Sequence, residues 1–212
     1  MMILIWVNEF QLDFTGKAIE TKTTHTKGSS PSVVVIDQMT YDAAGRLTAQ
    51  GEKINNQATE RIGANTYNEL GQLITMNVGN PTSTSTYLQQ INYQYNIRGW
   101  LKQVNDPAAL GTDLFAYKLS YNTTTLTGSK AAYNGNISEN TWKTASDNLL
   151  RSYNYRYDKL NRITAAISLN TDADKFNNSS ITYDWNGNIL TLRRNGWQNT
   201  TTYTNMDVLT YA

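Results

Sequence analysis

Few residues of this chain have the type and spacing that chemistry requires. His25 is the single histidine of 212 residues and sits in the Thr- and Lys-rich stretch Thr21 to Lys27. A Ser-His-Asp triad would need it beside a serine elbow, and the chain has no Gly-x-Ser-x-Gly phrase. His25 reads as a surface residue. One histidine and no cysteine exclude multi-histidine and thiolate metal centres, and disulfides with them. Asp172-Ala173-Asp174 begins like a calcium loop but lacks the glycine and the distal glutamate, so it reads as a hairpin tip. Asp42, Asp158 and Asp184 could supply the two carboxyls of a glycoside hydrolase, which must lie within ~5–9.5 Å of each other. All three, however, stand at the same place in a recurring phrase, which explains them as turn residues. Trp100, Trp142, Trp185 and Trp197 could stack on sugar rings or anchor a partner protein. Trp100 and Trp185 fall in the recurring phrase and are the candidate ligand-binding residues. No catalytic, cofactor-binding or metal-binding residue is nominated, and the chain reads as a non-enzyme with no cofactor.

The phrase is Tyr-Asp/Asn-x-x-Gly-x-Leu/Ile. It stands at Tyr41 to Leu47, Tyr67 to Leu73, Tyr95 to Leu101, Tyr157 to Ile163 and Tyr183 to Ile189. Tyrosines 41, 67 and 95 are 26 and 28 residues apart, and 157 and 183 are again 26 apart. Repetition at that period marks stacked supersecondary units. Leu12 to Ile19 carries the phrase with leucine for tyrosine, Tyr133-Asn134-Gly135-Asn136-Ile137 reads as a contracted copy, and Tyr203 to Leu209 as a degenerate last one. Residues 1–11 then form a non-repeat segment and 12–212 an array of about eight copies, with no linker dividing it.

Turn chemistry gives the phrase a structure. Asp42 accepts a backbone hydrogen bond from two residues on, Ala43 and Ala44 suit a type I turn, and Gly45 supplies the left-handed residue of a three-residue hairpin loop with a bulge. In that register Tyr41 faces Leu47 on one side of the sheet and Asp42 faces Arg46 on the other. Each pair stabilises by ~0.2–1 kcal/mol. The polar pairs of the other copies are Asn68/Gln72, Asp158/Arg162 and Asp184/Asn188. Asn161 replaces the glycine in one copy, and asparagine is the residue that best tolerates a left-handed conformation. Asn134-Gly135 is the strongest two-residue hairpin signal.

The elements that carry these turns are strands. The chain holds 29 Thr, 25 Asn and 14 Tyr, residues suited to half-exposed sheet faces and to turns. Ser152 to Tyr157 alternates so that Tyr153, Tyr155 and Tyr157 share a face. The Asn- and Thr-rich face is expected to remain solvated. Asp106 to Gly111, with Pro107 at the first position, predicts one short helical turn. Thr82 to Thr86 and Asn170 to Ser180 read as loops or hairpin tips. The apolar start, Met1 to Val7, reads as an edge strand. It has neither the basic segment nor the cleavage site of a signal peptide, and no run approaches the ~20 apolar residues of a membrane-spanning helix. A net charge of +1 gives no field for nucleic acid or anionic lipid.

Tyr41-Asp42-Ala43-Ala44-Gly45-Arg46-Leu47 resembles the YD repeat of the RHS (rearrangement hotspot) family, whose relatives include wall-associated proteins, insecticidal toxin-complex shells and teneurins. Asn92 to Leu101 and Asp113 to Tyr121 are similar to RHS segments of Bacteroidetes-type bacteria. The resemblance implies an all-β fold: an open, curved, antiparallel array of stacked hairpins that forms part of a hollow shell. It implies a structural role in an exported or surface-associated protein. The implied partners are the remainder of a longer shell or a toxin domain, with cell-wall carbohydrate as the alternative ligand. Asn105 to Gly111 only echoes the family's Asp-Pro-x-Gly self-cleavage motif and lies mid-array, so neither cleavage nor toxin activity is carried over.

Overall fold

The computed structural model describes residues 4–80, 86–199 and 201–211. Met1 to Ile3 of the apolar start and Thr82 to Ser85 of the expected loop lie outside them. The fold is all-β: fifteen antiparallel strands form one open sheet whose strand order is the chain order. Among the described residues there is no helix, and so none long and apolar enough to cross a membrane. The chain divides into two compact units, Met1–Tyr93 and Gln94–Ala212.

The first unit holds β1 (Leu4–Leu12), β2 (Ala18–Lys27), β3 (Val33–Tyr41), β4 (Leu47–Ile54), β5 (Glu60–Tyr67), β6 (Leu73–Asn80) and most of β7 (Gln89–Tyr95). β1 extends across the 11/12 boundary drawn from the sequence. Asn77 is the one buried residue of this unit among those described. The second unit holds β8 (Leu101–Val104), β9 (Phe115–Ser120), β10 (Glu139–Thr144), β11 (Arg151–Tyr157), β12 (Ile163–Asn170), β13 (Asn178–Tyr183), β14 (Ile189–Trp197) and β15 (Tyr203–Thr210). Its core combines Val104, Leu110, Ala116, Ala166 and Ile181 with buried Ser138, Glu139, Ser152, Asn154 and Ser168.

Two sets of turns alternate along the sheet. The repeat phrase closes those after β1, β3, β5, β7, β11 and β13; the others are more varied, and those after β4, β8, β10 and β12 use asparagine for a left-handed position. Asn55, Asn105, Asn148 and Asn170 all have φ between 50° and 57°, which accounts for part of the asparagine excess.

Three expectations change. Asp106 to Gly111 forms turns rather than a helix: Ala109 N donates to Asp106 O (3.0 Å) and Asp113 N to Leu110 O (3.0 Å). Asp106 Oδ1 still caps, accepting from Ala108 N at 2.9 Å. Tyr203 to Leu209 is not a turn copy but most of β15, with Tyr203 opposite Trp197. The serine and asparagine face of β11 is not solvated: Ser152 and Asn154 are 1% and 2% exposed, with Asn170 Nδ2 donating to Ser152 Oγ and Asn154 Nδ2 to Thr127 O of the covering loop.

Candidate functional site

The tight turns carry out the chemistry expected of the phrase. Asp42 N donates to Arg46 O (3.0 Å) and Gly45 N to Asp42 O (2.8 Å), with Gly45 at φ 74°. Asp42 Oδ1 accepts from Ala44 N and Arg46 N, both at 2.9 Å, while its Oδ2 accepts Arg46 Nε at 2.7 Å. Tyr41 pairs with Leu47 after a bulge at Thr40/Tyr41. Asp158/Arg162, Asn68/Gln72 and Asp184/Asn188 repeat the polar pair at 2.7–2.8 Å. Asn161 takes glycine's place at φ 64°.

These carboxyls are committed to the turns. Backbone and side-chain donation from Arg46 holds Asp42 below the usual carboxylate range despite opposing desolvation. Arg162 does the same for Asp158, and the Asn188 amides for Asp184. A general acid needs the opposite displacement, a pKa raised toward neutrality.

A second set of contacts joins four of the turns to the one before. Tyr67 Oη donates to Leu47 O (2.8 Å), Tyr157 to Ile137 O (2.8 Å), Tyr183 to Ile163 O (2.6 Å) and Tyr41 to Ala18 O (3.1 Å). In the other direction, Arg46 lies over the Tyr67 ring (4.7 Å), Arg162 over Tyr183 (4.5 Å) and Lys17 over Tyr41 (5.1 Å). Lys17 Nζ also donates to Gly45 O at 2.5 Å, and Arg162 Nη1 to Asp184 O at 3.1 Å. The first and sixth positions of the phrase thus form an inter-unit clasp. Cation–π contact adds ~0.5–1 kcal/mol at exposed sites, and a neutral hydrogen bond ~1 kcal/mol.

One copy differs. Tyr121 Oη donates to Leu101 O (2.8 Å) and Tyr157 clasps Ile137 O, so the copy runs from Tyr121 to Ile137, with fifteen residues between them where the other copies have five. The contracted copy read at Tyr133 is therefore part of a long loop, and Asn134-Gly135 makes no two-residue hairpin. Its contacts replace those of a tight turn. Arg98 Nη1 of the preceding turn donates to Tyr133 O (3.2 Å), and Asn134 Nδ2 to Asn161 Oδ1 of the following turn (2.5 Å). Residues 125–128 fold over the sheet. Glu139, 2% exposed, accepts Thr125 N at 2.9 and 3.0 Å on its two oxygens and Leu126 N at 2.7 Å. Burial pushes this carboxyl up, and donation from Leu126 and Thr125 more than reverses it, leaving it below the usual range. Asn154 Nδ2 donates to Thr127 O (3.3 Å), and Arg156 Nη2 to Gly128 O. A groove of about 420 Å³ beside this loop is lined by Tyr95, Lys102, Lys118 and Tyr121 among others.

The two tryptophans of the phrase part company. Trp185 is fully exposed at a turn tip. Trp100 is half-buried: it packs on Tyr121 (5.2 Å), lies under Arg98 (5.1 Å) and covers Gly135. Trp185 belongs to a set, since Phe14, Leu70, Ile97 and Leu160 are also largely exposed at the tips of their turns. His25 is half-buried, edge-on to Trp6 at 4.1 Å. Asp172 does lie in the turn after β12, but it is held by Arg151 (2.8 Å), which also bonds Asp147 (2.6 Å). Among the described residues no cluster of three potential metal ligands occurs.

No family model matches the chain, and no curated protein matches it in sequence. Solved structures do match. The crystal structure of TcdB2-TccC3-TEV aligns over 96% of this chain with a TM-score of 0.63 and 14% identity. That of TcdB2-TccC3-Cdc42 aligns over 95% with a TM-score of 0.64 and 15% identity. The protein shares their fold. It spans 12% and 10% of the length of those chains. The Photorhabdus luminescens Tc holotoxin pore with the mutation TccC3-D651A overlaps at a TM-score of 0.42 and 11% identity, too low to argue from. At this identity the likeness concerns the hairpin array itself, whose turns and clasps account for the residues that recur.

Proposed function

We propose that the chain is a non-enzymatic structural module, a segment of an RHS/YD-repeat β-shell that encapsulates or scaffolds. The observation that carries this reading is the clasp. Tyr41, Tyr67, Tyr157 and Tyr183 grip the preceding unit, Lys17, Arg46 and Arg162 lie over the next tyrosine, and the carboxylate or amide of the second position closes its own turn. The fold shared with TcdB2-TccC3 chains supports it, since toxin-complex shells are among the relatives the phrase resembles. The setting we propose is an exported or surface-associated bacterial protein of Bacteroidetes type, with the rest of a longer shell or an enclosed toxin domain as partner. Electron microscopy of the protein isolated from its own cells tests the reading. A hollow shell with residues 4–211 in its wall is the expected image, and an extended chain enclosing nothing would overturn it.

The exposure of Trp185 favours a second reading, a surface that binds carbohydrate or protein through turn-tip residues. Glycan-array or cell-wall binding that Trp185→Ala abolishes without loss of folding would support it. The packing of Trp100 predicts that Trp100→Ala lowers stability rather than binding alone.

A further inference from the structure

Asparagine followed by glycine can modify itself, because the glycine nitrogen reaches the asparagine side-chain amide with no side chain of its own in the way. The chain contains three such pairs, Asn134-Gly135, Asn186-Gly187 and Asn195-Gly196. The fold treats them differently. Gly187 N donates to Asp184 O (3.2 Å), and Asn188 N, two residues after Asn186, donates to Asp184 Oδ1 (2.8 Å). The attacking nitrogen is engaged there, and the amide beyond it points elsewhere. Gly196 lies inside β14 opposite Thr204, and Asn195 Nδ2 donates to Asp174 O (3.2 Å). The first pair is arranged the other way. Among the described residues Gly135 N has no acceptor, and Asn136 N, two residues after Asn134, donates to Asn134 Oδ1 at 3.1 Å. That donor sits on the oxygen where negative charge develops during attack, the placement that lowers such a barrier. Asn134 is exposed and Gly135 half-buried, so hydroxide and water reach both. The fold also requires glycine at 135: its φ is 98°, and a Cβ there would meet the Trp100 ring at 3.1 Å.

We propose that Asn134 is a self-modifying site, converted by its own chain to aspartate and isoaspartate. Hydroxide takes the Gly135 amide proton, the nitrogen bonds to Asn134 Cγ, and the electron pair displaced onto Oδ1 is held by the Asn136 N–H. Collapse breaks the Cγ–Nδ2 bond, and Nδ2 leaves as ammonia with a proton from water, which restores the hydroxide. Water then opens the five-membered imide at either carbonyl. The reaction uses only this chain and water, so it stands independently of the shell reading and of whatever adjoins the segment. Its consequence is local. The amide that is lost fastens the long loop to the following turn, since Asn134 Nδ2 donates to Asn161 Oδ1 at 2.5 Å. A carboxylate in its place sets acceptor against acceptor and weakens that hold. The bonds from Thr125 and Leu126 to Glu139 lie at the other end of the loop and are kept.

The two other pairs serve as internal controls. The folded protein is held at mildly alkaline pH and mapped by peptide mass spectrometry over time. The Asn134 peptide should gain the mass of an amide-to-acid exchange, faster as pH rises. Asn186 should react ~10-fold more slowly, because a nitrogen that must first give up a hydrogen bond loses about that factor. Asn195, held in its strand, should be slow as well. In urea the three rates should converge, since the selection is made by the fold. Asn134→Gln, whose ring would need six members, should abolish the mass gain at that peptide. Asn134→Asp, which mimics one product, should speed hydrogen exchange across residues 133–136 and leave 125–128 unchanged. Folded protein in which Asn134 reacts no faster than Asn186 or Asn195, or an order of rates that persists in urea, would overturn the proposal.

Discussion

In the unit that ends at Tyr93 the hairpins form little more than a single layer, with Asn77 its one buried residue among those described. In the unit that begins at Gln94 the same hairpins are roofed: Leu110 of the segment after β8 is buried, and residues 125–127 bond Glu139 and Asn154, which lie out of water. Both units use the same turns and clasps. The difference lies in the segments that do not repeat. The phrase builds a sheet, and insertions within and between phrases give it a second layer, here fastened by a carboxylate receiving main-chain amides. Burying a carboxylate is costly unless its hydrogen bonds are complete, and the covering loop supplies them.

That contrast can be broken most severely at Glu139. Glu139→Ala leaves the amides of Thr125 and Leu126 without their acceptor and should cost ~3 kcal/mol or more. Hydrogen exchange should rise across residues 122–131 and β9 to β11 while β2 to β5 keep their protection. Gly45→Val is the counterpart in the first unit. It forces a β-branched side chain into φ 74° and against the Lys17 ammonium, and should cost ~2 kcal/mol by urea unfolding. The exchange it releases should centre on β3 and β4.

Acid gives a graded version. The folded pKa of Glu139 lies below its ordinary 4.5, so the unfolded chain binds the proton more readily. Its contribution is complete above ~4.5 and disappears as pH falls through the folded value. Asp147, held at about 2 by Arg151 donation, adds a later loss. Exchange measured from pH 5 downward should therefore rise in the 122–131 roof as the Glu139 carboxyl takes up its proton. The smallest effect is expected at Asn161→Gly. The left-handed backbone is kept and only exposed side-chain bonds to Asn134 and Asn136 are lost, so stability should change by under ~0.5 kcal/mol with faster exchange confined to residues 133–136.

Much of the array was legible in the sequence because its determinants are local. A bulged turn needs a short polar acceptor, a left-handed residue and a facing pair within seven positions, and those positions can be read directly. The hydroxyl clasp was not legible. Tyr67 and Leu47 are far apart in sequence and meet only once neighbouring strands are in register. The Tyr121–Ile137 copy was hidden by the length of its insertion, and Tyr133-Asn134-Gly135 within the insertion imitated a turn. Asn161 was explained by conformation alone, yet its side chain also receives Asn134, a contact glycine could not make. Of the two candidate tryptophans, Trp185 has the expected exposure. Trp100 lost it to the same insertion, whose Gly135 backbone lies against its ring.

The central claim is that the recurring residues exist to hold the array together, and the tyrosine hydroxyls test it most directly. The triple variant Tyr67→Phe, Tyr157→Phe, Tyr183→Phe removes three clasps and leaves every ring in place. Urea unfolding should show a loss of ~1 kcal/mol per hydroxyl. An unchanged midpoint would contradict the account.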